Sequence, residues 1–297
     1  RNLELVRPLN ADDVSSTLCS VLDFSITAMG GRLLREWISH PLISVSKITK
    51  RQNAVSELAE SPILLSELKS ALFSILDMER LMGRIGSGRA NARDLAGMGR
   101  SLVQASQVSA VLANAKSLAL QELAQTLSLA AGHGESILAC LRDDLPLTVR
   151  EGKMIREGAC PSLDAMNEEI REKREWIASL ESRERERLGI PTLKVGYNKV
   201  FGYYIEVTRT HTDKVPENYL RKQTTVNSER YITPEMKECE SVIANAEVRI
   251  HAEEYRLFCE LRDKVEASRD VYQKIASAIA AVDVFYSLAS AARKYNY

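Results

Sequence analysis

At 297 residues, 45% hydrophobic and 27% charged, the chain has the composition of a globular protein with room for two or more domains, which excludes disorder as its overall state. Its 40 Lys and Arg balance 40 Asp and Glu, so no bulk basicity advertises nucleic acid and any electrostatic footprint has to be local. Five cysteines, odd in number and without C-x-x-C spacing, fit reduced thiols and a cytoplasmic setting better than a disulfide frame.

The chain starts Arg1-Asn-Leu-Glu-Leu-Val, with neither Met nor a signal-peptide pattern, and stops on an uncapped helical pattern at Tyr297; the expectation is a piece of a longer protein. No uninterrupted run of about 18 apolar residues occurs, so no membrane span is expected. Residues 1–150 read as a helical core domain. Helical spacing of apolar residues covers Ser15 to Leu22, Met29 to Ile38, Ser46 to Glu60, Leu64 to Arg84, Ala92 to Leu112, Leu118 to Ala131 and Glu135 to Arg142. Pro41, Pro62, Gly86, Gly88 and Gly132 punctuate these runs. Few aromatics and much Ala and Leu favour close helix packing over a β-sandwich.

Residues 151–188 read as a polar, glycine-punctuated connector with room for one short strand, followed by a first lever helix. Ser162 is the expected cap, and Leu163, Met166, Ile170, Ile177 and Leu180 lie on a seven-residue grid with Lys173 as its odd member. Arg183 and Arg185 fall on its alternating-sign outer face. Residues 189–233 form the β insertion. Leu193 to Thr208 is rich in aromatic and β-branched residues, with Gly196, Asn198 and Gly202 as turn and bulge signals, so it reads as a hairpin. Because a two-stranded hairpin alone is marginal in water, it should pair with a strand from Arg221 to Ile232, giving three or four strands. Thr233-Pro-Glu starts the second lever, residues 234–274, with an N-cap hydroxyl, a proline suited to the first turn and a carboxylate matched to the helix dipole. Between Glu235 and Tyr297 there is no Gly or Pro, so the helix reads as continuous; residues 275–297, apolar nearly all round, return to the helical core. The fold class is therefore mainly α, a helical core with two long antiparallel lever helices and a small antiparallel β insertion at their tip.

Most motif-like features have structural readings. Gly83-Arg-Ile-Gly-Ser-Gly-Arg89 has no preceding strand and no closing Lys-Ser/Thr, which makes it a helix-to-helix turn and not a phosphate loop. His40, His133, His211 and His251 lack metal-ligand spacing, and no nucleophile elbow or activated Cys is present, so neither a metal site nor a catalytic one is expected. The tip is the exception. From Ile190 to Tyr231, seven cations face four anions, a local excess of three in a neutral chain. The candidate set there is Asn198, Lys199, Arg221, Lys222, Gln223, Thr225, Asn227, Ser228 and Arg230, a mixture of cationic and neutral donors suited to phosphate and sugar contacts that carry no sequence information. Tyr197, Tyr203 and Tyr204 are expected to pack the small sheet against itself.

Four blocks carry a resemblance: Asp23-Phe-Ser-Ile-Thr-Ala-Met-Gly-Gly-Arg-Leu-Leu-Arg-Glu-Trp-Ile, Met78-Glu-Arg-Leu-Met-Gly-Arg-Ile-Gly-Ser-Gly-Arg-Ala-Asn-Ala-Arg-Asp-Leu, Lys194 to Val207, and Tyr219 to Glu238. In the same order they resemble the MutS family of DNA mismatch-repair proteins, over essentially the whole chain. Ser25 stands where Thr is usual, and Ala92 where Pro is frequent. The resemblance implies the core, levers and clamp of such a protein, closing around duplex DNA through backbone contacts and coupling that event to an ATPase domain elsewhere. The family's N-terminal mismatch-reading domain, with its Phe-x-Glu wedge, and its ATPase domain, with its Walker loop, have no counterpart here, so this chain is expected neither to read mismatches nor to hydrolyse ATP, and to hold no cofactor itself. For the full-length protein the resemblance implies ATP and Mg, a dimer, a MutL-type partner and, if bacterial, a nucleoid-associated cytoplasmic location. Two alternatives stay open: a MutS relative acting on recombination junctions, and a coiled-coil protein-interaction module.

Overall fold

A computed structural model describes residues 4–6, 17–198 and 202–296. They fall into two units, Arg1–Arg156 with Phe258–Tyr297, and Glu157–Leu257. The first unit is helical: α1 (Leu18–Leu22), α2 (Ala28–Ser39), α3 (Val45–Glu60), α4 (Pro62–Phe73), α5 (Met78–Gly86), α6 (Ala92–Val111), α7 (Leu118–Leu127) and α8 (His133–Cys140). The second carries α9 (Pro161–Leu188), β1 (Lys194–Asn198), β2 (Gly202–Thr208), β3 (Leu220–Thr224) and β4 (Ser228–Ile232). Then α10 (Pro234–Ala267) runs into the first unit, where α11 (Arg269–Tyr295) ends the described chain.

In the first unit α11 is the central element. Ile275, Ile279, Val282 and Phe285 are buried among Leu58, Leu72, Met82, Leu95, Leu102 and Leu120 from the surrounding helices. This helix is long and apolar enough to match a membrane span by composition, at a mean hydropathy of 1.6, but 72% of that stretch is buried inside the protein. It serves as a core helix. Two breaks depart from the sequence reading. The expected helix from Leu64 to Arg84 is interrupted between Phe73 and Met78, where Asp77 caps α5 by accepting from the Arg80 amide (3.2 Å) and the Leu76 amide donates to Ser101 Oγ on α6 (3.1 Å). The run from Glu235 to Tyr297 is interrupted at Ser268 (φ −94°, ψ 12°), with no Gly or Pro to signal it. Further small corrections apply: α7 gives way to a 3₁₀ turn at Ser128–Ala130, and α9 starts at Pro161 with Cys160, not Ser162, at the cap. The short strand of the connector is a single bridge, Leu141 to Ile155.

Polar anchoring in this unit is local and partly buried. Arg32 on α2 grips Asp77 with two nitrogens (2.7 and 2.8 Å) and reaches Glu79 (2.6 Å). Burial alone would raise the Asp77 carboxyl; the Arg32 guanidinium and the Arg80 amide outweigh it and hold the group below its ordinary value. A lowered native pKa means this contribution is present above about pH 3.9 and lost as pH falls through the native value. Arg32→Gln should therefore lose about 1 kcal/mol at neutral pH, the guanidinium being partly solvated. Urea midpoints of variant and parent should converge in acid. A gap that persists at pH 2 would refute this.

In the second unit the strands form one antiparallel sheet in the order β1-β2-β4-β3. The hairpin β1/β2 pairs Lys194 with Glu206 through Asn198 with Gly202, and β2 pairs with β4 from Ile205–Tyr231 to Thr208–Ser228. The hairpin thus does recruit strands from Leu220 to Ile232, as a small core requires. Ile205, Val207, Tyr231 and Ile232 from the sheet bury against Leu180, Ile190, Leu193 and Met236. Thr233 caps α10, its hydroxyl accepting from the Met236 amide (3.2 Å). Ile170 and Ile177 of α9 pack on Cys239, Ile243 and Ala246 of α10, with Arg174 bonded to Glu247 (2.7 Å) and Ser162 to Glu253 (3.4 Å). These pairings run antiparallel. At about 1.5 Å per residue, α9 is about 42 Å long.

Candidate nucleic-acid interface

The β3/β4 hairpin is built on a two-residue turn. Thr225 and Ser228 close it: the Thr225 amide donates to the Ser228 carbonyl (2.9 Å), and the Thr225 hydroxyl accepts from the Ser228 amide (3.1 Å) and meets the Ser228 hydroxyl (2.7 Å). Arg209 braces the turn from outside, its amide donating to the Asn227 carbonyl (3.2 Å) and its guanidinium to the Thr225 carbonyl (3.0 Å). What remains outward is Val226, 82% exposed, and the exposed Asn227. Neither central residue has a positive φ, so the turn lacks the twist that two-residue hairpins usually adopt. A bulge in the adjacent strand supplies extra twist: Arg221 faces Tyr231 and Gln223 faces Arg230, leaving Lys222 as the additional residue.

That bulge is the main device of the site. One extra residue breaks the alternation of faces, and consecutive cations Arg221 and Lys222 are both exposed on an edge strand. Arg221 stays only loosely tied, 3.4 Å from Glu229 with 62% of its side chain exposed. Edge cations also block sheet-to-sheet association, so this placement serves the fold as well.

The other candidate residues are placed differently. Arg230 is half-buried: it bonds Glu206 (2.8 Å) and Gln223 Oε1 (3.0 Å) and lies over the Tyr204 ring (4.4 Å). Its carboxylate partner raises its affinity for the proton, so it is a fixed cation inside a network. Ser228 is buried and, with Thr225, is engaged within the turn. Asn198 sits at the end of β1 opposite Gly202, away from the β3/β4 turn in the strand order. Lys199 lies outside the described residues. Tyr197 and Tyr203 contact each other (ring centroids 4.9 Å), so these rings pack on the sheet as expected, although Tyr197 keeps 61% of its surface exposed.

The shaft cations have structural work. Arg183 donates to the Trp176 carbonyl (3.1 Å), while Arg185 donates to the Leu193 carbonyl (2.7 Å) and pairs with Glu181 (2.6 Å). Glu181 in turn accepts the Val195 amide (2.9 Å), so this pair fastens β1 to α9. The sequence reading missed that role; Glu and Arg at i and i+4 just before a strand were its only trace. Among the described residues no group of three or more His, Cys, Asp or Glu is arranged to hold a metal.

The fold and site define a mainly α protein in which two long helices carry a small sheet with an exposed, cation-bearing edge. The family model for MutS domain III matches residues 1–289. The chain is 45% identical over its whole length to the DNA mismatch repair protein MutS of Pelotomaculum thermopropionicum, and 43% identical to those of Thermosynechococcus vestitus and Listeria monocytogenes. It spans about a third of the length of these curated relatives, 34%, 34% and 35% respectively. The chain belongs to the MutS domain III family.

Proposed function

We propose that the chain is the lever and clamp part of a mismatch-repair protein, and that its β3/β4 hairpin holds duplex DNA by the backbone without reading sequence. The observation that carries this reading is the bulge that leaves Arg221 and Lys222 both exposed beside a braced turn. Cations at that position suit phosphates, and contacts of that kind position a protein without carrying sequence information. Asn227 and Gln223 complete the polar surface, Thr225, Ser228 and Arg230 hold its shape, and Asn198 lies at the other end of the sheet, where β1 meets Gly202. For the full-length protein this reading carries mismatch recognition, ATP hydrolysis with Mg, a dimer and a MutL-type partner, as the resemblance implies. A nucleoid-associated cytoplasmic protein is the setting this function asks for.

Binding of this chain to duplex should be weak, equal for matched and mismatched DNA, and steeply salt-dependent. Arg221→Gln with Lys222→Gln should flatten the slope of log affinity against log salt by about two. A comparison pair removes the same charge elsewhere: Arg171→Gln with Arg249→Gln, both exposed on α9 and α10. Arg185 is unsuited to that purpose because it holds Leu193. Exposed changes of this kind alter stability by about 0.5 kcal/mol or less, so melting should be preserved in both. Equal losses from the two pairs would mean that only the overall field matters, and the hairpin assignment would fall.

A further inference from the structure

The same hairpin carries a feature that electrostatics does not use. Val226, at the apex of the turn, has 82% of its surface exposed. Isolated exposed apolar residues are ordinary on protein surfaces. This one differs in its mounting: the residues on either side of the two-residue turn are locked by the Thr225–Ser228 bonds, and Arg209 holds both the Thr225 and the Asn227 carbonyls. The apex is thus ordered before any partner arrives, and little further entropy is lost when it makes contact. Cations flank it, Arg209 at its base and Arg221 with Lys222 on the strand leading into it, while Glu229 lies inward against the Tyr231 hydroxyl (2.6 Å).

We propose that Val226 is an apolar foot that packs on the deoxyribose faces of duplex DNA, between phosphates met by the flanking cations. The inference rests on the reading of this hairpin as a backbone contact and adds a part to it. A sugar-phosphate backbone alternates charged phosphates with apolar sugar faces, and a surface that alternates cations with one rigid apolar residue matches both. The contact carries no sequence preference, since every nucleotide presents the same sugar. It differs from the cationic contacts in one measurable respect: apolar burial releases no counterions, so it changes the affinity without changing the salt slope.

The test is a set of duplex titrations at several salt concentrations with the whole chain, its Val226→Ser and Val226→Ile variants, and the Arg221→Gln, Lys222→Gln pair. Val226→Ser should lose about five- to tenfold in affinity at every salt concentration, with an unchanged slope; a tenfold loss corresponds to about 1.4 kcal/mol, the scale of a partly buried Val side chain. Val226→Ile, which keeps shape and apolarity, should bind as well as the parent or better. Wild-type affinity for Val226→Ser would overturn the inference, and so would a loss in Val226→Ile equal to that in Val226→Ser, which would indicate turn geometry and not apolar contact. The underlying reading fails separately, if the double cation variant keeps both the affinity and the slope of the parent.

Discussion

Asp283→Asn should destabilise the helical unit by about 3 kcal/mol, because it places an amide NH₂ where the native fold aims only donors. Asp283 on α11 is fully buried, and its carboxylate accepts the Ile26 amide (2.9 and 3.1 Å), the Thr27 amide (2.7 Å) and the Thr27 hydroxyl (2.7 Å). The Thr27 oxygen, in turn, accepts the Gly30 amide (3.0 Å) as the N-cap of α2. An anion here sits at the positive end of a helix, where charge is stabilised as well as hydrogen-bonded. Burial pushes the Asp283 carboxyl above its ordinary value, and the donors from Ile26 and Thr27 pull against that rise. The surroundings are fitted to it: a Cβ on Gly30 would stand 2.1 Å from Asp283 Oδ2. In a unit of this size about 2–4 °C is lost per kcal/mol, so the melting temperature should drop by about 6–12 °C. A drop below 2 °C would show that the carboxylate is not needed as an acceptor. Ser287, one turn along, repeats the pattern by accepting the Phe24 amide (2.8 Å) and donating to the Leu22 carbonyl (2.7 Å).

This anchor gives a structural meaning to one of the sequence blocks. Asp23 to Ile38 is a segment fastened to α11, with Thr27 as cap and Gly30 as clearance, and Ser25 keeps the local hydroxyl by bonding Asp23 Oδ1. The second block is similar. Asn91 and Asp94 form a reciprocal cap, and Ala92 occupies the first helical position of α6, the one place in a helix where a proline fits. Both blocks therefore encode helix starts and tertiary fastenings.

Periodicity made most of the helices legible, because the apolar stripe of each long helix is what the core buries. The hairpin and its recruitment of β4 were equally visible, since a β-branched and aromatic run between charged helices has few other uses. The breaks at Ser74–Asp77 and Ser268 were not. Neither contains Gly or Pro, and the first is set by Ser101, more than 20 residues away in sequence. The site was legible as a region and not as a surface: composition shows how many donors the tip has, but not that Thr225, Ser228 and Arg230 spend theirs inside the hairpin. The bulge at Lys222 had no signal either, as no Gly marks it.

Gly134→Val should cost the helical unit about 3 kcal/mol, and Gly83→Ala, a substitution in the same unit, should have the opposite sign. A Cβ at Gly134 would lie 2.5 Å from the Gly99 carbonyl oxygen, 2.8 Å from the Val103 nitrogen and 2.7 Å from Val103 Cγ2. Two of those atoms are backbone of α6, so no rotamer change can relieve the clash. Helix α8 would have to withdraw from α6, loosening the burial of its own Ile137, and overpacking of this kind costs about 1–3 kcal/mol even before such losses are added. At Gly83, in α5, nothing lies within 4 Å of an added Cβ, and the position is exposed and helical. There Ala should stabilise by about 0.5–1 kcal/mol, through reduced entropy of the unfolded chain and better helix propensity. Denaturant midpoints of the two variants, measured side by side, should therefore move in opposite directions. A stable Gly134→Val would mean that α8 does not approach α6 at backbone distance.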